Sequence, residues 1–414
     1  MSLPVLDPTL RRLVSACSEE GGDDPIFALS AEAARRRAGG EDVVDSTLGT
    51  LLDEEGRLAT IRAVGEAYGR IPWDRGAGYA PIAGARPFLA AVQADLFGSH
   101  PVAERAVGVA TPGGTGALAL AVALFLEPGQ SVLTTSYHWS PYATIATQAG
   151  RGLETFAMFA ADGRLDLAAL AEALARSGRR QGRTLLFLNT PCHNPTGYSL
   201  DEADWRGLAE VLASAAADQA LTVLVDMAYA RYARSDPRAW LAHAEPLLGR
   251  STWLVAWSAS KAFTQYGARV GALFALEAEA RERTRIASAL AFACRGTWSN
   301  CNHLGMQVVG ECLNDPELAR RVTAEREELR LLLELRAERF SELARAAGLA
   351  HPRYSGGFFV TVACADAARA AARMRARGVF VVPLAGALRV ALCATPLRAI
   401  PRLVEALAVG VASG

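Results

Sequence analysis

Residues 252–272 read TWLVAWSASKAFTQYGARVGA. Their first part, Thr252 to Ser258, is an apolar run of strand length, rich in β-branched and aromatic side chains. It ends in Ser258-Ala259-Ser260-Lys261, and Arg269 follows eight residues later. Lys261 is the only lysine in the chain, although lysine and arginine together number 43. Arginine keeps its guanidinium protonated and cannot act as a nucleophilic amine, whereas a desolvated lysine can form a Schiff base. A serine, a lysine and an arginine grouped beyond a strand end can bind a phosphate while the lysine holds an aldehyde. Against chance survival of one surface lysine stands what the rest of the chain places beside it.

Outward from this stretch, short apolar runs alternate with helical ones from about residue 105 to residue 275. Val107–Ala110, Ser131–Thr135, Thr184–Asn189, Thr222–Asp226 and Thr252–Ser258 read as strands. Gly116–Leu126, Leu167–Arg176 and Asp201–Ala217 read as helices, the last with Asp201 as N-cap. This alternation predicts a parallel sheet covered by helices on both faces. Ligands of such sheets sit beyond the carboxyl ends of the strands. Polar residues gather there: Thr111-Pro112-Gly113-Gly114-Thr115-Gly116 opens a helix, Pro191 to Gly197 reads PCHNPTG, and Asp226-Met227-Ala228-Tyr229 ends the fourth strand. A helix N-terminus suits a phosphate, and an aspartate ending a buried strand is costly unless it meets a cation. The glycine turn is neither G-x-G-x-x-G nor a Walker loop, which argues against dinucleotide and NTPase readings. Beyond residue 275 helices dominate. The charged stretch from Asp315 to Ala347 reads as a linking helix with a solvated face. Phe358–Val362, Val379–Val382 and Leu388–Leu392, around a helix near Ala365–Arg377, read as a small α+β unit with which the first sixty residues pack.

Bulk composition narrows the class. Hydrophobic residues make up 51% and charged residues 21%, with zero formal net charge. That balance fits a globular enzyme and excludes a polyanion-binding or disordered chain, so nucleic acid is not an expected partner. Seven cysteines at irregular spacing, without C-x-x-C, read as reduced thiols in a reducing compartment. The first residues lack the pattern of a secretory signal, and no apolar stretch approaches membrane-spanning length. A soluble cytoplasmic protein is therefore the expectation, and no metal ion is implied.

GGTGAL, HNPTG, DxAY and SxSK with its trailing GxRxG stand in the order and spacing of the fold-type I pyridoxal-phosphate enzymes. The chain resembles, within that group, the class I aspartate/aromatic aminotransferases, through nearly its whole length. The resemblance implies an α/β fold-type I transferase: a mostly parallel central sheet with helices on both faces, plus a smaller α+β domain. It divides the chain into an N-terminal segment 1–60, a large cofactor-binding domain 61–310 and a small domain 311–414. It implies transfer of an amino group from an acidic or aromatic L-amino acid to a 2-keto acid by a ping-pong mechanism, with pyridoxal 5'-phosphate as cofactor. It also implies a homodimer with shared active sites.

The resemblance also assigns roles. Lys261 becomes the Schiff-base lysine and then the proton shuttle at the substrate Cα. Asp226 pairs with the pyridine nitrogen, which keeps the ring protonated as an electron sink. Tyr229 and Asn194 donate to the phenolic oxygen. Trp139, in SYHWSPY, stacks on the ring. Gly114, Thr115, Ser258 and Arg269 hold the phosphate, and Tyr79, in GYAPIAG, reaches it from the other subunit. Arg389, in ALRVALCAT, grips the α-carboxylate through the parallel hydrogen bonds of a planar guanidinium. Trp139 and Asn194 also line the substrate site. Gly49, in STLGTLLDEEG, belongs to the mobile segment that closes over substrate, and Arg295, upstream of Trp298-Ser299-Asn300, crosses to the partner to bind a side-chain carboxylate.

Three positions depart from the family pattern. Tyr142 stands where a histidine usually supports the pyridine-binding aspartate, Asn189 replaces another histidine, and Gly113 replaces a phosphate-binding serine. Such changes tune what a carbanion does next. They leave open a lyase, decarboxylase or oxidase of the same fold, or a non-catalytic regulatory protein.

Overall fold

The computed structural model describes residues 25–412. In chain order its strands are β1 (Val44–Asp45), β2 (Ala106–Pro112), β3 (Ser131–Thr135), β4 (Gly152–Phe156), β5 (Arg183–Asn189) and β6 (Ala220–Asp226). There follow β7 (Ser251–Ser258), β8 (Val270–Leu276), β9 (Phe359–Ala363), β10 (Val379–Phe380), β11 (Val382–Leu384) and β12 (Ala387–Ala391). Seven of them form a central sheet in the order β2-β8-β7-β6-β5-β3-β4. All its neighbours pair in parallel except β8, which runs antiparallel to both β2 and β7.

Alternation along each strand explains why the sheet is covered twice. Leu186, Leu188, Val223, Val225, Trp253, Val255 and Trp257 enter one core with the helices Arg86–Phe97, Leu167–Gln181, Glu202–Ala215 and His303–Asn314. Leu185, Phe187, Leu224, Leu254 and Ala256 enter the opposite core, with the helices Gly113–Phe125, Pro141–Gln148 and Ala280–Thr297. Neither face of β5, β6 or β7 is left to water, as an apolar period-2 pattern on both faces demands.

All five strands read from sequence are present, and two more, β4 and β8, complete the sheet. β8 is VGALFAL and is buried at every residue. Such an unbroken apolar run carries no periodicity to separate strand from buried helix. The helix expected from Gly116 begins three residues earlier, at Gly113, so the glycine turn is its first turn. Asp201 caps Glu202–Ala215 through a capping box, its carboxylate accepting from the Ala203 and Asp204 N–H groups while Asp204 accepts from Asp201 N–H. An interaction of this kind contributes about 1 kcal/mol.

The charged stretch is one helix, Pro316–Ala346, N-capped by Asp315. Its first part, at Leu318 and Val322, belongs to the core of the central sheet. Its far part, at Ala337, Phe340 and Ala344, packs on a separate core with β9, β12 and the helices Ala367–Ala376 and Ile400–Ala412. There β11, β12 and β9 form an antiparallel sheet. The expected strand Val379–Val382 splits: β10 pairs instead with β1, at Val44–Val379 and Asp45–Phe380. Six cysteines, at 192, 294, 301, 312, 364 and 393, are free and buried, and Cys17 lies outside the described residues. Burial pushes the Cys192, Cys301, Cys312 and Cys393 thiols up to about 12, where they carry no thiolate to react.

Candidate active site

Register brings four sequence motifs to one edge of the sheet. Pro112 pairs with Val270, Ser258 with Gly271, Asp226 with Ala256 and Asn189 with Asp226. The ends of β2, β5, β6 and β7 and the start of β8 therefore lie side by side. Because β8 returns antiparallel to β7, residues 259–269 never leave that edge, and Lys261 sits in a single helical turn, Ala259–Ala262, just past Ser258.

Asp226 is buried at the end of β6. Tyr142 Oη donates to its Oδ2 at 2.7 Å and the Ala228 N–H donates to Oδ1 at 3.1 Å. Burial raises the Asp226 carboxyl above its ordinary range, and the Tyr142 hydrogen bond and nearby Lys261 oppose that rise. Tyr142 is itself fully buried, edge-on to Trp139 and to Phe187. A phenol held well above its ordinary pKa by burial and by Asp226 keeps its proton at every working pH. The tyrosine that replaces the family histidine thus donates to the same aspartate without titrating.

Lys261 Nζ lies 5.4 Å from the centroid of the Tyr229 ring and 5.9 Å from that of Tyr266. Burial, reinforced by Arg269, moves its ammonium below the ordinary lysine range against the pull of Asp226. Desolvation of this kind favours the neutral, nucleophilic amine. Asn194 Nδ2 donates to Tyr229 Oη at 3.4 Å, a long contact. The Asn194 backbone N–H is fixed by Asn189 Oδ1 at 2.6 Å, and Asn189 Nδ2 in turn donates to the Asp226 carbonyl at 2.9 Å. The second histidine replacement therefore ties the HNPTG loop to the aspartate strand. His193 is buried with Nδ1 2.9 Å from Thr196 Oγ1, and burial and His138 lower its ring to about 3. It is a neutral member of the loop.

An anion cradle adjoins this cluster. The first N–H groups of Gly113–Phe125 have no intrahelical acceptor, and the helix dipole adds positive potential there. Gly113 has φ +73°, and a Cβ on it would come within 2.3 Å of Arg269 Nη2. A side chain here would be strained by the left-handed backbone and would require the end of Arg269 to shift. Arg269 Nη1 donates to Ser260 Oγ at 3.2 Å and to the Tyr266 carbonyl at 2.9 Å, and Ser258 Oγ accepts from the Ser260 N–H at 3.2 Å. Gly114 faces Ser258, whose Cβ would stand 3.4 Å from a Cβ added there, and Thr115 follows, exposed.

Arg389 enters from the smaller sheet. It lies on β12 with its guanidinium 4.6 Å from the centroid of Phe359, and Nη2 donates to the Thr47 carbonyl at 2.6 Å. It is close enough to Tyr229 to counter the rise that burial imposes on that phenol. Gly49 meets the same ring, since a Cβ there would lie 2.7 Å from Phe359 Cζ. Phe359 and Tyr266, whose Oη accepts the Leu51 N–H at 3.0 Å, are site residues that sequence reading passed over. GGFF was the only signal for the first, and Tyr266 had none beyond its place between Lys261 and Arg269. Two expected residues stand apart within this chain: Tyr79 is 92% exposed, and Arg295 is exposed with Nη1 on Ser299 Oγ at 2.7 Å. A surface cleft of about 760 Å³ opens at the opposite edge, near Arg183, Thr252 and Glu277, away from these groups.

Residues 43–407 match the family described as Aminotransferase class I and II. The chain is 33% identical over 314 residues to a tyrosine aminotransferase of Rhizobium meliloti, covering 75% of this chain and 78% of that protein. It is 32% identical over 305 residues to an aspartate aminotransferase of Pseudomonas aeruginosa, covering 71% and 74%. An aminotransferase structure from Anaerococcus prevotii superposes with a TM-score of 0.88 at 29% identity over 99% of this chain and all of that one. An aromatic-amino-acid aminotransferase from Burkholderia pseudomallei, covalently bound to pyridoxal phosphate, gives 0.78 at 26% identity, covering 94% and 98%. With the profile spanning most of its length, and with relatives of this name covered over more than two thirds of theirs, the chain belongs to the class I and II aminotransferases.

Proposed function

We propose that this aminotransferase uses pyridoxal 5'-phosphate to pass the amino group of an acidic or aromatic L-amino acid to a 2-keto acid in two alternating half-reactions. The observation that carries this reading is a half-buried, desolvated amine, Lys261, 5.4 Å from the Tyr229 ring centroid and near the buried Asp226 carboxyl at a sheet edge. The residues present fit the cofactor. Asn194 Oδ1 is buried with no hydrogen-bond partner, Asp226 is a buried acceptor, and the Gly113 turn leaves a cradle that a Cβ would fill. When bound, pyridoxal phosphate supplies an aldehyde that an amine can capture and a cationic ring that draws electrons from the substrate Cα.

Each side chain then has a task of its own. Asp226 holds the proton on the ring nitrogen, with its orientation set by Tyr142. Tyr229 and Asn194 present hydrogen bonds at the ring oxygen, Trp139 covers a ring face, and Gly114, Thr115, Ser258 and Arg269 bind the phosphate. Lys261 Nζ moves the proton at the substrate Cα. Arg389 orients the α-carboxylate, and the segment bearing Gly49 excludes water. The chain divides, on this reading, into 1–60, 61–310 and 311–414, with residues 1–24 and 413–414 outside those described. No helix of the described residues is long and apolar enough to cross a membrane.

Tyr79 and Arg295 serve the site of a second copy in a homodimer, which accounts for two exposed residues with no place in this chain's own cluster. Mixing a Lys261→Ala chain with an Arg295→Ala chain is expected to restore about a quarter of the wild-type sites, because half the dimers are mixed and each holds one intact site. Activity of the refolded mixture toward a dicarboxylic donor measures this; a mixture no more active than its components removes the shared site.

The reaction itself is tested by adding a panel of amino acids to the holoenzyme and following cofactor absorbance. Aspartate, glutamate, tyrosine or phenylalanine should convert the cofactor to its amine form, and a keto acid should reverse it. A protein that takes up no pyridoxal phosphate ends the cofactor reading. A response confined to aliphatic monocarboxylic donors removes the role given to Arg295.

A further inference from the structure

We propose that Arg336 is a positioning residue for substrate carboxylate binding: it clasps the segment bearing Gly49 to the chain that follows Arg389. The proposal rests on the reading of Arg389 as the carboxylate anchor.

Arg336 lies in the charged helix Pro316–Ala346, which as a sequence reads as solvated, yet its side chain is 0% exposed. Its guanidinium forks across two segments far apart in sequence. On one side Nη1 donates to the Leu392 and Cys393 carbonyls at 3.3 and 2.9 Å. On the other, Nη2 donates to the Leu52 carbonyl at 2.9 Å, and Nε and Nη2 both donate to Glu54 Oε1, at 3.0 and 2.7 Å. Glu54 closes the loop by accepting the Leu397 N–H at 2.8 Å on Oε2.

The joined segments hold the substrate residues. Leu392 follows three residues after Arg389, and Leu52 stands three after Gly49. Between the clasp and the site, the Leu52 N–H donates to the Cys393 carbonyl at 2.9 Å, the Ala391 N–H to the Ser46 carbonyl at 3.0 Å, and Arg389 to the Thr47 carbonyl. The direction of Arg389 therefore depends on where residues 46–52 lie, and that depends on Arg336. By contrast the same segment meets the lysine loop through few bonds, chiefly Leu51 N–H to Tyr266 Oη. Loosening the clasp should thus disturb carboxylate binding and leave the Lys261 chemistry in place. Lysine cannot replace arginine here, since one ammonium on a flexible stem cannot reach both segments as a planar fork does.

The test uses Arg336→Lys and the milder Glu54→Gln, which keeps side-chain shape if loss of the buried arginine prevents folding. Arg389→Lys serves as reference. Three readouts are followed: hydrogen exchange of residues 46–54, the Kd of 3-phenylpropanoate and succinate for the holoenzyme by calorimetry, and single-turnover rates with tyrosine against tyramine, which lacks the carboxylate. Both clasp variants should speed exchange and raise the Kd by about tenfold, as small misplacements of an anchoring group do. The tyramine rate should stay within about twofold. A fall in Tm with unchanged Kd and an unchanged tyrosine-to-tyramine ratio would make Arg336 purely structural and overturn the proposal. If Arg389→Lys does not weaken the carboxylates, the reading of Arg389 fails and takes the clasp's role with it. If it does and the clasp variants do not, the clasp alone is overturned.

Discussion

Lys261→Ala and Lys261→Arg are both expected to lower turnover by at least about 10⁴-fold, the upper range for loss of a positioned proton-transfer group. The arginine variant is the sharper experiment. It keeps the positive charge and the length of the side chain in a protein that uses arginine nearly everywhere else. If Lys261 acts by charge, as one more phosphate ligand beside Arg269, Lys261→Arg should keep much of the activity. If it acts as an amine, the guanidinium cannot give up a proton or attack a carbonyl, and the variant should be as inactive as alanine. Borohydride treatment followed by mass analysis gives a second readout: wild type gains the cofactor less one oxygen, since the imine forms with loss of water and is then reduced, and neither variant should.

The fold should tolerate the alanine change, and its pH dependence has a definite sign. Burial depresses the Lys261 pKa below 10.5, so the folded apo protein binds fewer protons than the unfolded chain in the interval between the two values. Stability from this group is fully present above 10.5 and is lost as pH falls through the depressed value. Lys261→Ala removes that dependence. The apo variant should therefore gain most in Tm relative to wild type at the acid end, and match it at the alkaline end. A uniform loss of Tm would mean that the lysine supports the fold instead of burdening it.

How much of this was legible in the sequence depended on whether a signal was local. Strands β5, β6 and β7 announce themselves because both faces are apolar, and each is followed at once by residues that no buried strand end would carry without a partner, such as Asp226 and Lys261. β8 escaped because VGALFAL has no period, and with it escaped the antiparallel return that holds the lysine loop on the sheet edge. Tyr142 was visible as a departure, but only the 2.7 Å contact with Asp226 shows the substitution to be a donor for a donor. Gly113 was visible as a missing serine, but neither its left-handed backbone nor the packing of Arg269, 156 positions away, against it could be read there. Arg336 was the hardest to read. In a run of arginines and glutamates nothing distinguishes the one whose partners are backbone carbonyls at Leu52, Leu392 and Cys393.

Asp226→Asn should separate stability from function in opposite directions. Asparagine has nearly the same shape, and the two hydrogen bonds can survive: Oδ1 accepts the Ala228 N–H, and the new amide donates to Tyr142 Oη, since a phenol both donates and accepts. What is lost is the charge. In the wild-type apo protein burial raises the Asp226 pKa above 3.8, so its favourable contribution is present below that value and is lost as pH rises through the folded one. Above its folded pKa the apo enzyme carries an ionised group that burial disfavours, with Lys261 as a nearby cation. The apo variant should accordingly match wild type below 3.8 and exceed its Tm as pH rises through the folded Asp226 pKa, by thermal unfolding from pH 3 to 9. Its turnover should fall by about 10³-fold, the scale of removing one preorganised charge interaction from a reacting group, and its hold on pyridoxal phosphate should weaken. Activity within tenfold of wild type would remove the pairing of Asp226 with the ring nitrogen. An apo variant less stable at every pH would mean that the carboxylate serves the fold. The expected split follows from the chemistry: an anion buried at the end of β6 is unfavourable until a cation arrives, and a site built to hold a protonated ring accepts that strain so that binding can relieve it.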